Sequence, residues 1–268
     1  MVGSEGVLGV ITKAVLKLLP LSRYSVDLLA AFKDTATAIA FVPQIVKEGG
    51  LIPSSIEFMD KKALSLVKKY LNTEVPAGEA GAVLIIELED NDMEQLEKIY
   101  EKIGKLSQKH GAYEVYVADT RSTKDRVWQA RKSIAEAVST SYTKYTKEDL
   151  VVPTDKVPAL LEAIEEICTS HKLEWSAYGH AGDGNMHCSI IAPETTDWHD
   201  VLTTVQCELY PKVLDMGGTL SGEHGIGFKR KGYMKYFMDE SQIELIKRVK
   251  LAFDPQNILN PGKMVDWN

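Results

Sequence analysis

Apolar and polar residues alternate along this chain in two different periods, which predicts strands and helices that follow one another. Stretches with period-two alternation and β-branched residues, such as AVLIIELE at 82–89 and AYEVYVAD at 112–119, predict strands. Stretches with apolar residues three and four positions apart, such as KKALSLVKKYL at 61–71 and the charged segment 92–111, predict amphipathic helices. This order predicts an α+β or α/β fold with an antiparallel sheet covered by helices, and from residue 21 onwards we expect one α+β domain.

The first twenty residues follow a different pattern. A glycine-rich turn comes directly after Met1, and GVITKAVLKLLP at 9–20 predicts a strand that ends at Pro20. Because a turn stands so close to the start, we expect the chain to begin in the middle of a fold. The segment has no basic start, and Glu5 and two lysines interrupt its apolar residues, so it does not resemble a signal peptide.

Composition narrows the class of protein. The chain has 268 residues, of which 44% are hydrophobic and 26% charged, as in ordinary globular proteins. The net charge of -7 argues against a nucleic-acid-binding surface. No apolar run is long enough to span a bilayer. The three cysteines, Cys168, Cys188 and Cys207, are far apart, which predicts buried free thiols in a reducing cytoplasm, with a catalytic thiol as the alternative.

The stretch YGHAGDGNMH at 178–187 contains the most distinctive chemistry. Asp183-Gly184 is a favoured pair for a two-residue hairpin turn, and such a turn would place His180 directly opposite His187. Their Cβ atoms would then lie ~5 Å apart on one face of the sheet, close enough to share a metal ion. Asn185 falls on the same face. The alternative is a histidine pair that only packs against an apolar surface.

A second cluster, SGEHGIG at 221–227, adds Glu223 and His224. Neighbouring residues in an extended chain point in opposite directions, so one of the two can bind metal while the other faces a substrate. The alternative is a solvated glycine-rich loop. Two histidines and one carboxylate with open positions suit a catalytic zinc, manganese or ferrous ion.

Four segments in the same order resemble one known family: GSEGVLGVITKAVLKLLP, GHAGDGNMH, SGEHGIG and FDPQNILNPGK. They resemble the C-terminal half of the FAD-linked 2-hydroxyacid dehydrogenases and oxidases, which include D-lactate dehydrogenase, D-2-hydroxyglutarate dehydrogenase and the FAD-linked subunit of glycolate oxidase. The resemblance implies a ferredoxin-like antiparallel sheet with the histidine hairpin at the edge that faces the flavin domain. It also implies oxidation of the CH–OH group of a small 2-hydroxy acid of the lactate or glycolate type.

Residue roles in that family can be carried onto matching positions. The resemblance implies three metal ligands, which are His180, His187 and Glu223. It implies that His224 is the base that takes the substrate hydroxyl proton. It implies contacts to the substrate from Arg131, Lys147 and Asn185. It implies contacts to FAD from Ser4, Glu5, Gly6, Asn260 and Lys263.

The resemblance also implies that most of a flavin-binding domain is missing. Residues 1–20 would be a remnant of that domain, and residues 21–268 would form the substrate- and metal-binding domain. We expect either an excised domain or a separate polypeptide that supplies the flavin part, an electron-acceptor subunit, and little FAD binding or turnover by this chain alone. The N-terminal strand could promote a homodimer. We expect the chain in the cytoplasm, reaching a membrane only through partner subunits. A flavin-free metal-dependent hydrolase and a non-catalytic assembly module are the alternatives.

Overall fold

A computed structural model describes residues 1–267. Its seven strands, in chain order, are β1 Tyr24–Phe32, β2 Ser55–Asp60, β3 Ala82–Asp90, β4 Ala112–Ala118, β5 Tyr145–Val151, β6 Glu174–His180 and β7 Asn185–Ile191. Its α-helices are α1 Thr35–Lys47, α2 Lys61–Leu71, α3 Met93–Lys109, α4 Arg121–Ser141, α5 Val157–Ser170, α6 Trp198–Asp215 and α7 Glu240–Phe253. Short 3₁₀ turns occupy Thr154–Lys156 and Lys231–Tyr236.

All seven strands form one sheet in the order β4-β1-β3-β2-β6-β7-β5, and each neighbouring pair is antiparallel. The first four strands have the order of a ferredoxin-like sheet, so the predicted α+β class is confirmed. The other three strands extend this sheet beyond β2. The histidine hairpin of β6 and β7 therefore lies inside the sheet, and β5 forms the edge where the sequence analysis expected the hairpin.

Two apolar cores lie on opposite faces of the sheet. Leu28 and Ala30 of β1 belong to the core under α1, α3, α5 and α6, whereas Leu29 and Ala31 belong to the core under α2 and α4. Burial on both faces explains why β1 and β3 are nearly continuous apolar runs. The sheet face that α2 and α4 cover extends over β6, β7 and β5. On these three strands the side chains of that face are mostly polar.

Two predictions about local structure are wrong. Residues 9–20 form no strand; they cross the surface without a partner strand, and most of their apolar side chains are exposed. Cys207 is an exposed free thiol, whereas Cys168 and Cys188 are buried as predicted. Within residues 1–267, no helix is both long and apolar enough to cross a membrane.

Candidate metal and substrate site

The β6–β7 hairpin has a different register from the one predicted. His180 pairs with Asn185, and Tyr178 pairs with His187, so residues 181–184 form a four-residue connection. The tight Asp183-Gly184 turn does not form because the connection bonds to other segments. Gly182 N donates to Ile56 O at 3.2 Å, and Val152 N donates to Gly184 O at 3.2 Å. These bonds to β2 and to the segment after β5 outweigh the local turn preference.

His180 and His187 nevertheless lie on the same face of the sheet. The shift in register is two residues, and side chains of a strand return to the same face every two residues. The two imidazoles are diagonal neighbours, with ring centroids 5.4 Å apart. The predicted direct pairing is therefore wrong, but the predicted proximity is present.

The loop at 221–227, which we call the donor loop, brings Glu223 to both histidines. Glu223 Oε1 lies 3.6 Å from His180 Nε2 and 3.3 Å from His187 Nε2. Donor atoms bound to one zinc at ~2.0–2.2 Å in tetrahedral geometry would lie roughly 3.3–3.6 Å apart. The structure therefore brings the three predicted ligands together in an arrangement that fits a divalent ion.

Asp149 of β5 shapes the donor loop. Its Oδ2 accepts hydrogen bonds from Ser221 Oγ at 2.7 Å, from Glu223 N at 3.0 Å and from His224 N at 2.9 Å. Burial opposes ionisation of this carboxyl, but the three hydrogen bonds hold its pKa down, at about 2. One buried negative charge thus fixes the backbone at both functional residues of the loop.

Glu57 of β2 supports the other side of the site. Its Oε1 lies 2.7 Å from His180 Nδ1, and its Oε2 accepts from Nε and Nη2 of Arg131, both at 2.8 Å. Burial raises the pKa of Glu57, but His180 and Arg131 lower it by more, so the net shift is downward. Arg131, from α4, also stacks over the ring of Tyr178, with its Cζ 5.0 Å from the ring centroid.

The two histidines differ in their electrostatics. The hydrogen bond to Glu57 raises the pKa of His180. Burial, together with the positive charge of Arg131, lowers the pKa of His187 to about 4. His187 is therefore neutral at physiological pH and can offer a ring lone pair to a metal. Each nitrogen of both rings faces a carboxylate, which does not match the alternative of a histidine pair packed on an apolar surface.

His224 and the two predicted substrate cations line the same cavity. The ring of His224 stacks on His187 with centroids 5.2 Å apart, and its Nε2 lies 3.4 Å from Glu223 Oε1. Burial lowers the pKa of Lys147, whose Nζ donates to Ala135 O at 2.7 Å. The cavity measures about 380 Å³ and is lined by Arg131, Ala135, Lys147, Glu148, Tyr178, His180, His187, Glu223 and His224.

Asn185 lies beneath the donor loop and is not a lining residue of the cavity. It is buried next to His180, and its Oδ1 has no hydrogen-bond partner among residues 1–267. Its side chain packs against the backbone of Gly222, where only a glycine fits. Contact of Asn185 with a substrate stays a prediction.

Substituting Gly222 by alanine will displace the donor loop. The new Cβ would stand 2.5 Å from Asn185 Nδ2 and 2.6 Å from Val151 Cγ2, and both neighbours are packed. We expect a loss of about 1–3 kcal/mol in unfolding free energy and weaker Zn²⁺ binding. Urea unfolding and chelator competition measure the two effects. Gly232→Ala is the matched control, because nothing lies within 4 Å of its added Cβ. Equal behaviour of the two variants would contradict the expectation.

The five residues predicted to contact FAD lie around the far end of the donor loop. The Glu5 carboxylate accepts from Ile226 N and Gly227 N, each at 2.7 Å, and Asn260 donates to Glu5 O. Ser4 and Gly6 adjoin Glu5 in the chain, and Lys263 lies over the ring of Phe228. Buried Lys250 ties this N-terminal segment to the C-terminal tail by donating to Val7 O at 2.9 Å and Leu259 O at 2.7 Å. Contact of these residues with a flavin stays a prediction.

Sequence analysis missed two residues of the site, Glu57 and Asp149. Each is an acidic residue inside a strand whose neighbours are buried. Acidic side chains are almost never fully buried unless they are paired, so that pattern could have drawn attention to both. What the sequence does not reveal is which histidine each acid faces.

The fold and site define a ferredoxin-like α+β domain that presents two histidines and a carboxylate beside a cavity lined by two cations. Residues 21–264 match the family model described as FAD linked oxidases, C-terminal domain. The chain belongs to this family.

Curated relatives support the same assignment. The chain is 35% identical to the glycolate oxidase subunit GlcD of Bacillus subtilis, over 98% of this chain and 56% of the relative. It is 33% identical to D-lactate dehydrogenase of Anaerostipes hadrus, over 98% of this chain and 57% of the relative. The chain thus spans just over half the length of these two relatives.

Solved structures share the fold at low sequence identity. A 4-ethylphenol oxidase from Gulosibacter chungangensis superimposes with a TM-score of 0.68 at 14% identity, covering 94% of this chain and 55% of the other. The structure of p-cresol methylhydroxylase gives a TM-score of 0.66 at 15% identity, covering 92% of this chain and 54% of the other. These similarities concern the fold alone.

Proposed function

We propose that this chain is the substrate- and metal-binding part of an FAD-dependent dehydrogenase or oxidase that acts on the CH–OH group of a small 2-hydroxy acid. The observation that carries the proposal is the convergence of His180, His187 and Glu223 beside a cavity that Arg131 and Lys147 also line. Relatives named glycolate oxidase subunit and D-lactate dehydrogenase support this class of substrate.

The cavity offers a separate group for each part of a 2-hydroxy acid. The two cations suit the carboxylate, and Arg131 turns Nε and Nη2 toward Glu57, which leaves Nη1 for a ligand. A zinc, manganese or ferrous ion held by His180, His187 and Glu223 would supply Lewis acidity that lowers the pKa of the substrate hydroxyl. His224 stands beside this position and accepts the hydroxyl proton as the general base.

FAD, when bound, would supply the oxidant by accepting the hydride that the substrate Cα loses. We propose that Ser4, Glu5, Gly6, Asn260 and Lys263 lie at the junction with the flavin-binding part. Glu5 acts there through the donor loop, because its carboxylate already accepts two backbone N–H groups. We propose that the remaining flavin contacts come from a part that corresponds to the portion of the relatives outside this match.

Exposed apolar side chains in two segments support a partner surface. They include Val10, Ile11, Val15, Leu16, Leu18, Leu19 and Leu21 of the N-terminal segment and Leu245, Leu251 and Phe253 of α7. Groups of exposed apolar side chains mark interaction sites. We propose that the flavin-binding part, on the same or a separate polypeptide, covers these side chains. The buried free thiols support a reducing compartment such as the cytoplasm.

Calorimetric titration of the purified chain tests the proposed function. We expect one divalent ion to bind per chain, and lactate or glycolate to bind only after the metal. Propionate and acetate are the matched controls, because they keep the carboxylate and lack the hydroxyl, and they should bind more weakly. A chain that binds no metal would support the non-catalytic assembly module. Ester hydrolysis by the metal-loaded chain would support the hydrolase, and tight FAD binding with full turnover would contradict the proposed division of the site.

A further inference from the structure

Two buried carboxylates stand behind the two histidines of the site. Glu57 is 4% exposed and Asp149 is 0% exposed. Glu57 Oε1 lies 2.7 Å from His180 Nδ1, and Asp149 Oδ1 lies 3.6 Å from His187 Nδ1. In both cases the carboxylate faces the ring nitrogen that points away from Glu223.

The second oxygen of each carboxylate is already committed to other donors. Glu57 Oε2 accepts two N–H groups of Arg131, and a guanidinium can only donate. Asp149 Oδ2 accepts the backbone N–H groups of Glu223 and His224, which also can only donate. The atom at the position of Glu57 Oε2 or Asp149 Oδ2 must therefore be a hydrogen-bond acceptor, also when an amide replaces the carboxylate.

The Asp149–His187 pair, at 3.6 Å, is longer than a hydrogen bond. Asp149 Oδ1 and His187 Nδ1 are both buried, and neither has a hydrogen-bond partner among residues 1–267. A buried polar atom without a partner carries an uncompensated desolvation cost. A shift of His187 by less than 1 Å would satisfy both atoms at once.

We propose that Glu57 and Asp149 are positioning residues that fix the tautomers of His180 and His187. Each carboxylate accepts a hydrogen bond from Nδ1–H, so that the ring proton stays on Nδ1 and the lone pair of Nε2 faces Glu223. The proposal rests on the proposed metal site, because a lone pair at that position is what a metal requires. It also makes Glu57 a shared support, since the same carboxylate orients a metal ligand and holds Arg131 at the substrate cavity.

Because these two oxygens must remain acceptors, the orientation of an amide at either position can be predicted. In Glu57→Gln, Arg131 holds the amide oxygen, so the amide NH₂ faces His180 Nδ1 and donates to it. In Asp149→Asn, the donor-loop N–H groups hold the amide oxygen, so the NH₂ faces His187 Nδ1. Each replacement therefore moves the ring proton of one histidine from Nδ1 to Nε2, and this removes the lone pair that faces Glu223.

Nitrogen-15 NMR of the metal-free, histidine-labelled chain measures the tautomers directly. At a pH where the nitrogen-15 shifts show both rings to be neutral, which for His180 lies above the ordinary histidine pKa because the hydrogen bond to Glu57 raises its pKa, we expect both histidines to be protonated on Nδ1 in the wild type. Glu57→Gln should convert His180 alone, and Asp149→Asn should convert His187 alone. Glu208→Gln is the matched control. Its carboxylate contacts the partly exposed His171 at 3.0 Å, away from the site, and it should change neither tautomer.

A Zn²⁺ titration against a competing chelator gives the second readout. Loss of either outer carboxylate should weaken Zn²⁺ binding ~10–100-fold, whereas the Glu208 control should leave it unchanged. A wild-type His180 or His187 protonated on Nε2 would overturn the proposal, and this measurement needs no variant to fold. Variants that keep the Nδ1 proton would also overturn it. Expected tautomers in a wild-type chain that binds no Zn²⁺ would instead refute the proposed metal site and leave the positioning roles standing.

Discussion

Replacing His187 by alanine will abolish the stabilisation of this chain by Zn²⁺. His187 lies at the centre of the site, with Nε2 3.3 Å from Glu223 Oε1 and its ring in contact with the rings of His180 and His224. Catalytic zinc sites use three protein ligands. Two donors would remain after the substitution, so we expect a loss of affinity larger than the ~10–100-fold attributed to outer-shell partners.

Urea unfolding at several metal concentrations measures this effect. A ligand that binds only the folded state at 100 times its Kd adds about 2.7 kcal/mol to the unfolding free energy. The wild type should gain this amount and His187→Ala should gain nothing, even if the variant starts from a lower stability. His171→Ala is the control, because its partly exposed ring pairs with Glu208 outside the site. A normal gain in His187→Ala would refute the assignment of His187 as a ligand.

Replacing Glu148 by alanine will cost about 3–5 kcal/mol of stability, whether or not metal is present. Glu148 lies on the face of β5 opposite Asp149 and is fully buried. Its carboxylate accepts from Gln206 at 3.0 Å and from Tyr210 at 2.8 Å, and it lies 3.7 Å from the buried guanidinium of Arg230. Without the carboxylate, a buried cation and buried polar groups lose their partner, which costs more than the loss of a surface ion pair.

Urea unfolding of the metal-free chain checks the cost. Glu101→Ala is the matched control, because its exposed pair with Lys105 at i,i+4 is expected to contribute only about 0.3–0.5 kcal/mol. Glu148→Gln should lie between the two, since the amide keeps hydrogen bonding but loses the charge that faces Arg230. If Glu148→Ala cost no more than the surface control, the buried carboxylate would not hold this part of the fold together.

The sequence predicts the elements of the fold well because burial imposes a clear period on them. Helix α2 and strand β3 follow from apolar spacing alone. The segment 9–20 has an equally apolar pattern but forms no strand, because a strand requires a neighbouring strand to bond with. An apolar pattern therefore shows that a segment is able to form a strand. Whether the strand forms depends on the segments that pack beside it.

The candidate site shows the same division between local pattern and long-range contact. The sequence analysis predicted that His180 and His187 lie close together, but it assumed an incorrect register. The proximity is still present because the register differs by two residues, and side chains return to the same face of a strand every two residues. An error of one residue would have placed them on opposite faces. Glu57 and Asp149 escaped prediction because their partners lie 38 to 123 positions away in the sequence.

The way in which the donor loop is fastened has a consequence for folding. Its backbone is held by Asp149, which precedes Glu223 by 74 positions, and by Glu5, which precedes Gly227 by 222 positions. Contacts between residues this far apart in sequence require large loops to close, which lowers the conformational entropy of the chain. The β6–β7 hairpin, in contrast, needs only its own neighbours to pair. The donor loop therefore cannot reach its final shape before Glu5 has met residues 226–227, and the candidate metal site is completed only at that stage.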